Sequence, residues 1–126
     1  MNIRLQAIYD KVPSISCKKE CGDLCTLIPV HPLEIAEIEK HLGRKVKTDS
    51  GLSIGYKEFR IIKPRAGSIT CRFFRRNSCR IYEVRPLICR LYGTCEGMKC
   101  LKGCTPMHVL TDKQAHALIN ELEKLS

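Results

Sequence analysis

Nine cysteines are the residues of this 126-residue chain whose type and number point to chemistry. Cys17, Cys21 and Cys25 form an early cluster spaced four apart, and Cys71, Cys79, Cys89, Cys95, Cys100 and Cys104 follow between Thr70 and Pro106. At this density they are either disulfides or metal thiolates. An odd count leaves at least one thiol over in any set of disulfides. No apolar run has the length of a signal peptide or a membrane span, so the expected setting is cytoplasmic and reducing, where thiols persist. All nine cysteines are therefore candidate ligands of a metal centre. Gly22 within the early cluster would let backbone wrap closely around an ion, and the late segment, with Gly97 and Gly103, is too polar and glycine-dotted to form a core element.

Spacing restricts the kind of centre. No two cysteines are separated by two residues, which excludes the knuckles of zinc ribbons and the bacterial ferredoxin run. Ligation by thiolates alone favours an iron–sulfur cluster, 4Fe-4S in type, over Zn2+. His31 and His41 flank one predicted helix and read more naturally as cap or surface residues than as ligands. There is no glycine-rich phosphate loop, no nucleophile elbow and no carboxylate pair in apolar surroundings. A metal-dependent enzyme would need an open coordination position beside an acid or base; the surplus of thiols shows no such vacancy, and any activity would be sought at the early cluster with Asp23 and His31. A structural, redox or regulatory role is expected ahead of an enzymatic one.

The net charge of +9 is concentrated. Between Arg60 and Lys102 eleven basic residues face only Glu83 and Glu96, while the rest of the chain is neutral. One explanation is compensation, because a zinc ion or oxidised cluster held by four thiolates carries about two negative charges. The other is a polyanion surface: Arg72, Arg75, Arg76 and Arg80 on a hairpin, with Phe73, Phe74 and Tyr82 as stacking groups, would suit nucleic acid or an acidic protein partner.

The elements that must position these groups are short. Leu5, Ile8 and Val12 predict an amphipathic helix over residues 2 to 12, ended by Pro13. A second helix runs from Pro32 to Leu42, with Glu34 in its first turn, Ile35, Ile38 and Leu42 on one face, and Gly43 as its stop. Alternation through Leu52, Ile54, Tyr56, Phe59 and Ile61 predicts strands. Residues 69–74 and 79–82 can pair across the turn 75–78, bringing Cys71 near Cys79. Pro86 opens a short helix with Cys89 one turn inside and Gly93 at its end. Residues 94–106 form a Cys-rich loop, and a capping box at Thr111 and Gln114 opens a packing helix over 111–125. The expectation is one α+β metal-binding domain over 1–126, its short helices set around a small sheet or hairpin and its fold stabilised by the cysteine-ligated centre.

Cys17-x3-Cys21-x3-Cys25, the acidic helix after it, and Cys79-x-Ile-Tyr-x-x-Arg-Pro-x-x-Cys89-Arg together resemble the CxxCxxCC cysteine-cluster family, described as zinc- or iron-chelating. The resemblance covers a core of about residues 17–93. It implies metal binding through Cys17, Cys21, Cys25, Cys71, Cys79 and Cys89, and it assigns no reaction. The chain departs from the pattern at Thr26, where the family has a second adjacent cysteine, so that Cys95, Cys100 and Cys104 either replace the lost ligand or form a second site. Within the motif, Arg85 and Arg90 are placed to donate hydrogen bonds to thiolates or acidic groups around the centre. Similar domains occur in lysine methylases acting on flagellin, yet no SAM-type glycine loop follows a strand here, so methylation is not expected.

Overall fold

The computed structural model describes residues 2–13, 27–51, 54–64, 72–75, 78–98, 106 and 108–125. Their order is α1 (Ile3–Tyr9), β1 (Ile28–Val30), α2 (Pro32–Leu42), β2 (Asp49–Ser50), β3 (Arg60–Ile62), β4 (Phe74–Arg75), β5 (Ser78–Cys79), a 3-10 turn at Tyr82–Val84, α3 (Leu87–Leu91), a 3-10 turn at Glu96–Met98, and α4 (Asp112–Glu123). Among the described residues, four short helices and a small antiparallel sheet make this an α+β fold. Among the described residues no helix is long and apolar enough to cross a membrane.

Caps explain where the helices begin. The Asn2 side chain accepts the amides of Arg4 and Leu5 and starts α1. The α-helix stops at Tyr9, short of Pro13, because Lys11 and Val12 bond three residues back, to Ile8 and Tyr9, and tighten the last turn. Helix α2 occupies the expected span, and α4 opens on the expected capping box, Thr111 and Gln114 each accepting the other's backbone amide.

The sheet has the order β1-β3-β2, with β3 antiparallel to both neighbours. The strand β1 carries Pro29, a residue that removes a ladder donor and is tolerated only because this strand is an edge. The expected strand through Ile54 and Tyr56 is instead a turn with Gly55 at φ 84, leading into β3. Gly51 lets this turn close: a Cβ there would lie 2.2 Å from the Phe59 carbonyl oxygen. The hairpin β4–β5 pairs Phe74 with Cys79 and Arg75 with Ser78, and the Arg80 amide extends it by bonding to Phe73. Its second arm is shorter than expected, since the chain turns into the 3-10 segment at Tyr82. Of the other predicted arm, residues 69–71, Cys71 among them, lie outside the described residues.

Two apolar clusters result. The first joins Leu5, Ile8 and Tyr9 of α1 with Ala115, Leu118, Ile119 and Leu122 of α4, and includes Phe59, Leu87, Leu91, Cys95 and Leu110. The second joins Ile28 and Val30 with Ile38, Ile62, Phe73 and Ile81, and Cys79 and Cys89 pack against it. Helix α3 is the seam: Leu87 and Leu91, one turn apart, enter the first cluster and Cys89 meets the second.

Gly43 and Gly51 should respond differently to substitution. Gly43 sits at φ 71 with open space around it, so Gly43→Asn is expected to cost less than about 1 kcal/mol. Gly51→Ala places a methyl group against backbone and should cost about 2–3 kcal/mol in urea unfolding. Equal losses at the two positions would contradict the steric reading of Gly51.

Candidate metal centre

The described part of the cysteine motif is built on α3. Pro86 is its N-cap residue and lacks a capping side chain, so the first amides of a five-residue helix need a distant partner. Glu34 of α2 supplies it: its Oε2 accepts the Leu87 amide at 2.5 Å. The same oxygen accepts the Tyr9 hydroxyl at 2.5 Å, and Oε1 accepts the His31 amide at 3.0 Å as half of the α2 capping box. One carboxylate thus ties α1, α2 and α3 together. Its side chain is 1 % exposed.

Electrostatics around this carboxylate are strained by burial. Desolvation pushes the Glu34 carboxyl above its usual range, while the bonds from Tyr9, His31 and Leu87 and the charge of Arg90 pull it back. The Tyr9 phenol is driven well up by burial first and by the Glu34 charge second. The Arg90 guanidinium lies 3.9 Å from the Tyr9 ring centroid and donates to the Arg85 carbonyl at 2.7 Å and the Glu83 carbonyl at 3.1 Å. Arg90 immediately follows Cys89, and the charge of Cys89 is felt at Tyr9. The carboxylate–phenol–guanidinium group therefore adjoins the cysteine that α3 presents.

His31 is a cap, 2 % exposed, with both ring nitrogens engaged. Nδ1 accepts the Leu33 amide at 3.1 Å, which places the ring proton on Nε2, where it donates to the Leu125 carbonyl at 3.1 Å. Burial holds its pKa below the ordinary value of 6.5. A metal would have to displace one of these bonds. His41 is exposed in the last turn of α2.

Of the nine candidate ligands, Cys79, Cys89 and Cys95 fall among the described residues; Cys17, Cys21, Cys25, Cys71, Cys100 and Cys104 lie outside them. Cys79 and Cys89 are half-buried against the same apolar cluster. Cys95 is 2 % exposed in the other cluster, on a backbone clamped by the Leu110 amide to the Thr94 carbonyl and the Glu96 amide to the Leu110 carbonyl. Among the described residues no group of three or more His, Cys, Asp or Glu side chains is arranged to hold a metal ion. Arg85 and Arg90, expected beside the centre, bond to backbone carbonyls, and Arg85 also lies 4.0 Å from the Tyr82 ring centroid.

On the basic hairpin, Arg80 is exposed and the Nε of Arg72 donates to the Lys63 carbonyl at 3.0 Å. Arg75 is in β4, and Arg76 lies outside the described residues. Phe73, expected as a stacking group, is a core residue at 2 % exposure. Tyr9 and Glu34 are the site-building residues that sequence reasoning missed. The available signal was Glu34 on the helical face of Ile38, a charge four residues from a core position.

Fold and motif together define a small α+β protein of the cysteine-based metal-binding class. The model of one family, CxxCxxCC, described as "Putative zinc- or iron-chelating domain", matches residues 16–105, and the chain belongs to that family. The match extends past the core of the motif and takes in Cys95, Cys100 and Cys104. Comparison with curated proteins and with solved structures finds no match.

Tyr9→Phe and Glu34→Gln should each destabilise the fold by about 1–3 kcal/mol, because each leaves buried polar groups without their partners. The double variant should cost clearly less than the sum of the two, and strict additivity in urea unfolding would show that the bond contributes nothing. His31 adds a pH dependence of known sign. Its depressed folded-state pKa means that its contribution is complete above about pH 6.5 and is lost as the pH falls through the folded value. Glu34 acts in the opposite direction, since a carboxyl raised by burial favours the fold as pH falls. His31→Asn isolates the imidazole, because Asn caps a helix without titrating. The variant should lose less stability than the parent between pH 7 and pH 5; an unchanged profile would contradict the assignment.

Proposed function

We propose that the chain holds an iron–sulfur cluster of the 4Fe-4S type, ligated by Cys79, Cys89 and cysteines of the early triple, in a structural, redox or regulatory role. The observation that carries this reading is the common environment of Cys79 and Cys89. The two ends of the motif, Cys79-x-Ile-Tyr-x-x-Arg-Pro-x-x-Cys89, return to one apolar cluster across a 3-10 turn and the first turn of α3. The described segments on either side of the early triple support its participation. Pro13 borders a cavity with Arg85 and Arg90, next to α3, and β1 packs on α3. The described residues on the two sides of Cys17, Cys21 and Cys25 therefore both lie near the helix that bears Cys89.

An iron–sulfur cluster would supply one-electron chemistry or structural cross-linking. The residues of this chain would supply thiolates, an apolar wall that limits access by water, and the Glu34 cap that fixes α3. The choice of iron over zinc rests on the thiolate-rich ligand set and the absence of two-residue cysteine spacings. In this reading Cys95 is a core residue, because it is packed among the side chains of the other cluster.

Anaerobic purification followed by iron, sulfide and zinc analysis tests the identity of the metal. Iron and sulfide with a brown visible spectrum are expected; stoichiometric zinc without either would overturn the assignment. Ser substitution at Cys21 or Cys89 should release the metal and much of the stability, since binding free energy at such a site is largely folding free energy. Cys95→Ala should keep the metal and cost only about 1–2 kcal/mol of packing. Loss of metal from Cys95→Ala would return this residue to the ligand set.

A further inference from the structure

Arg85 and Arg90 line the cavity that Pro13 borders. Its volume is about 230 Å³, and its described walls include Gln6, Tyr9 and Asp10 of the α1 segment together with the two arginines. That is below the roughly 300–1,000 Å³ of pockets for drug-sized ligands and is suited to a small ion. The two guanidiniums are close enough to repel each other, and Arg90 is partly desolvated. Backbone carbonyls hold them in place: Arg85 Nε donates to the Tyr82 carbonyl, and Arg90 Nε and Nη2 donate to the Arg85 and Glu83 carbonyls. These bonds fix orientation, and the nearby Glu34 charge offsets only part of the positive charge, at Arg90.

No carboxylate among the described residues forms an ion pair with either arginine; the ion pairs there join Lys11 to Glu121, Lys45 to Glu39 and Lys63 to Asp49. Glu34, whose charge reaches Arg90, has its oxygens taken by Tyr9, His31 and Leu87. Asp10 lines the same cavity yet bonds to the Gln6 amide at 2.7 Å and not to an arginine. Two cations and a separated carboxylate around a small polar space make an unusual set. A fully ionised anion would be attracted by the arginines and repelled by Asp10. A tetrahedral oxyanion that keeps one proton satisfies both sides.

We propose that this cavity is a site for inorganic hydrogenphosphate, with Arg85 and Arg90 donating to its ionised oxygens and Asp10 accepting its remaining P–OH proton. Guanidinium is suited to phosphate because its planar fork donates charge-assisted hydrogen bonds to two oxygens. The carboxylate acts as a selectivity element, since sulfate has no proton to give at neutral pH and would leave two anions facing each other. Phosphomonoesters, largely without that proton at neutral pH, are disfavoured for the same reason. None of the described residues lining the cavity is a proposed metal ligand, although Arg90 directly follows Cys89.

The test is calorimetric titration of the metal-loaded protein with inorganic phosphate and with sulfate at matched ionic strength. One saturable phosphate site is expected, with sulfate weaker by about tenfold or more. Arg85→Gln should weaken phosphate by about tenfold or more, the scale of one charge-assisted hydrogen bond. Asp10→Asn, at an exposed position, should leave folding and metal content intact while bringing phosphate and sulfate affinities together. Unsaturable heats, equal affinity for the two anions in the parent protein, or an Asp10→Asn variant with unchanged discrimination would each overturn the proposal.

Discussion

The buried carboxylate of Glu34 is the interaction on which the arrangement depends. A carboxylate taken from water is costly unless its lone pairs are satisfied, and Glu34 meets that condition by accepting from three elements at once. Each donor it engages has a need of its own. Tyr9 must place a hydroxyl inside the core, His31 starts α2, and Leu87 begins a helix whose proline cap has no side-chain acceptor. One group therefore sets the mutual positions of α1, α2 and α3. Without it, α3 would be a single turn with unsatisfied amides, too short to persist alone.

That constraint carries through to the cysteines. Helix α3 lies between two apolar clusters, and its short period puts Leu87 and Leu91 on one side and Cys89 on the other. Fixing α3 by Leu87 thus also fixes which cluster Cys89 meets, and Cys79 meets the same one through the β4–β5 hairpin. Cys95 is only six residues beyond Cys89 but enters the opposite cluster, because Thr94 and Glu96 are stitched to Leu110. Closeness along the chain is a poor guide to grouping among these thiols.

The arginines show how charge excess is used locally. Arg85 and Arg90 belong to the cysteine motif, yet their hydrogen bonds organise the backbone around the 3-10 turn and α3. Their guanidinium planes are spread over Tyr82 and Tyr9, a placement in which Arg is favoured over Lys by its flat, weakly hydrated head. Both arginines also line a small cavity together with Gln6, Tyr9 and Asp10. Structure-building and ligand-facing roles are thereby combined in the same side chains.

Local signals in the sequence determined the elements that carry them complete. The span of α2, the capping box of α4, the short helix after Pro86 and the cysteine motif itself depend on contacts within a few residues, so their periodicity, caps and spacing are legible without a fold. The α+β class and the membership of a metal-chelating family follow from the same kind of evidence. Tertiary structure alone decided the rest. The strand β1 exists despite Pro29 because β3 pairs with it across a long separation, and Phe73 is core because Ile28, Val30 and Ile62 surround it rather than solvent. Glu34 reads locally as an ordinary acid in a helix's first turn; only Tyr9, 25 residues before it, and Leu87, 53 residues after it, make it a buried junction. Such partners are set by loop closure and packing, which no short window of sequence records.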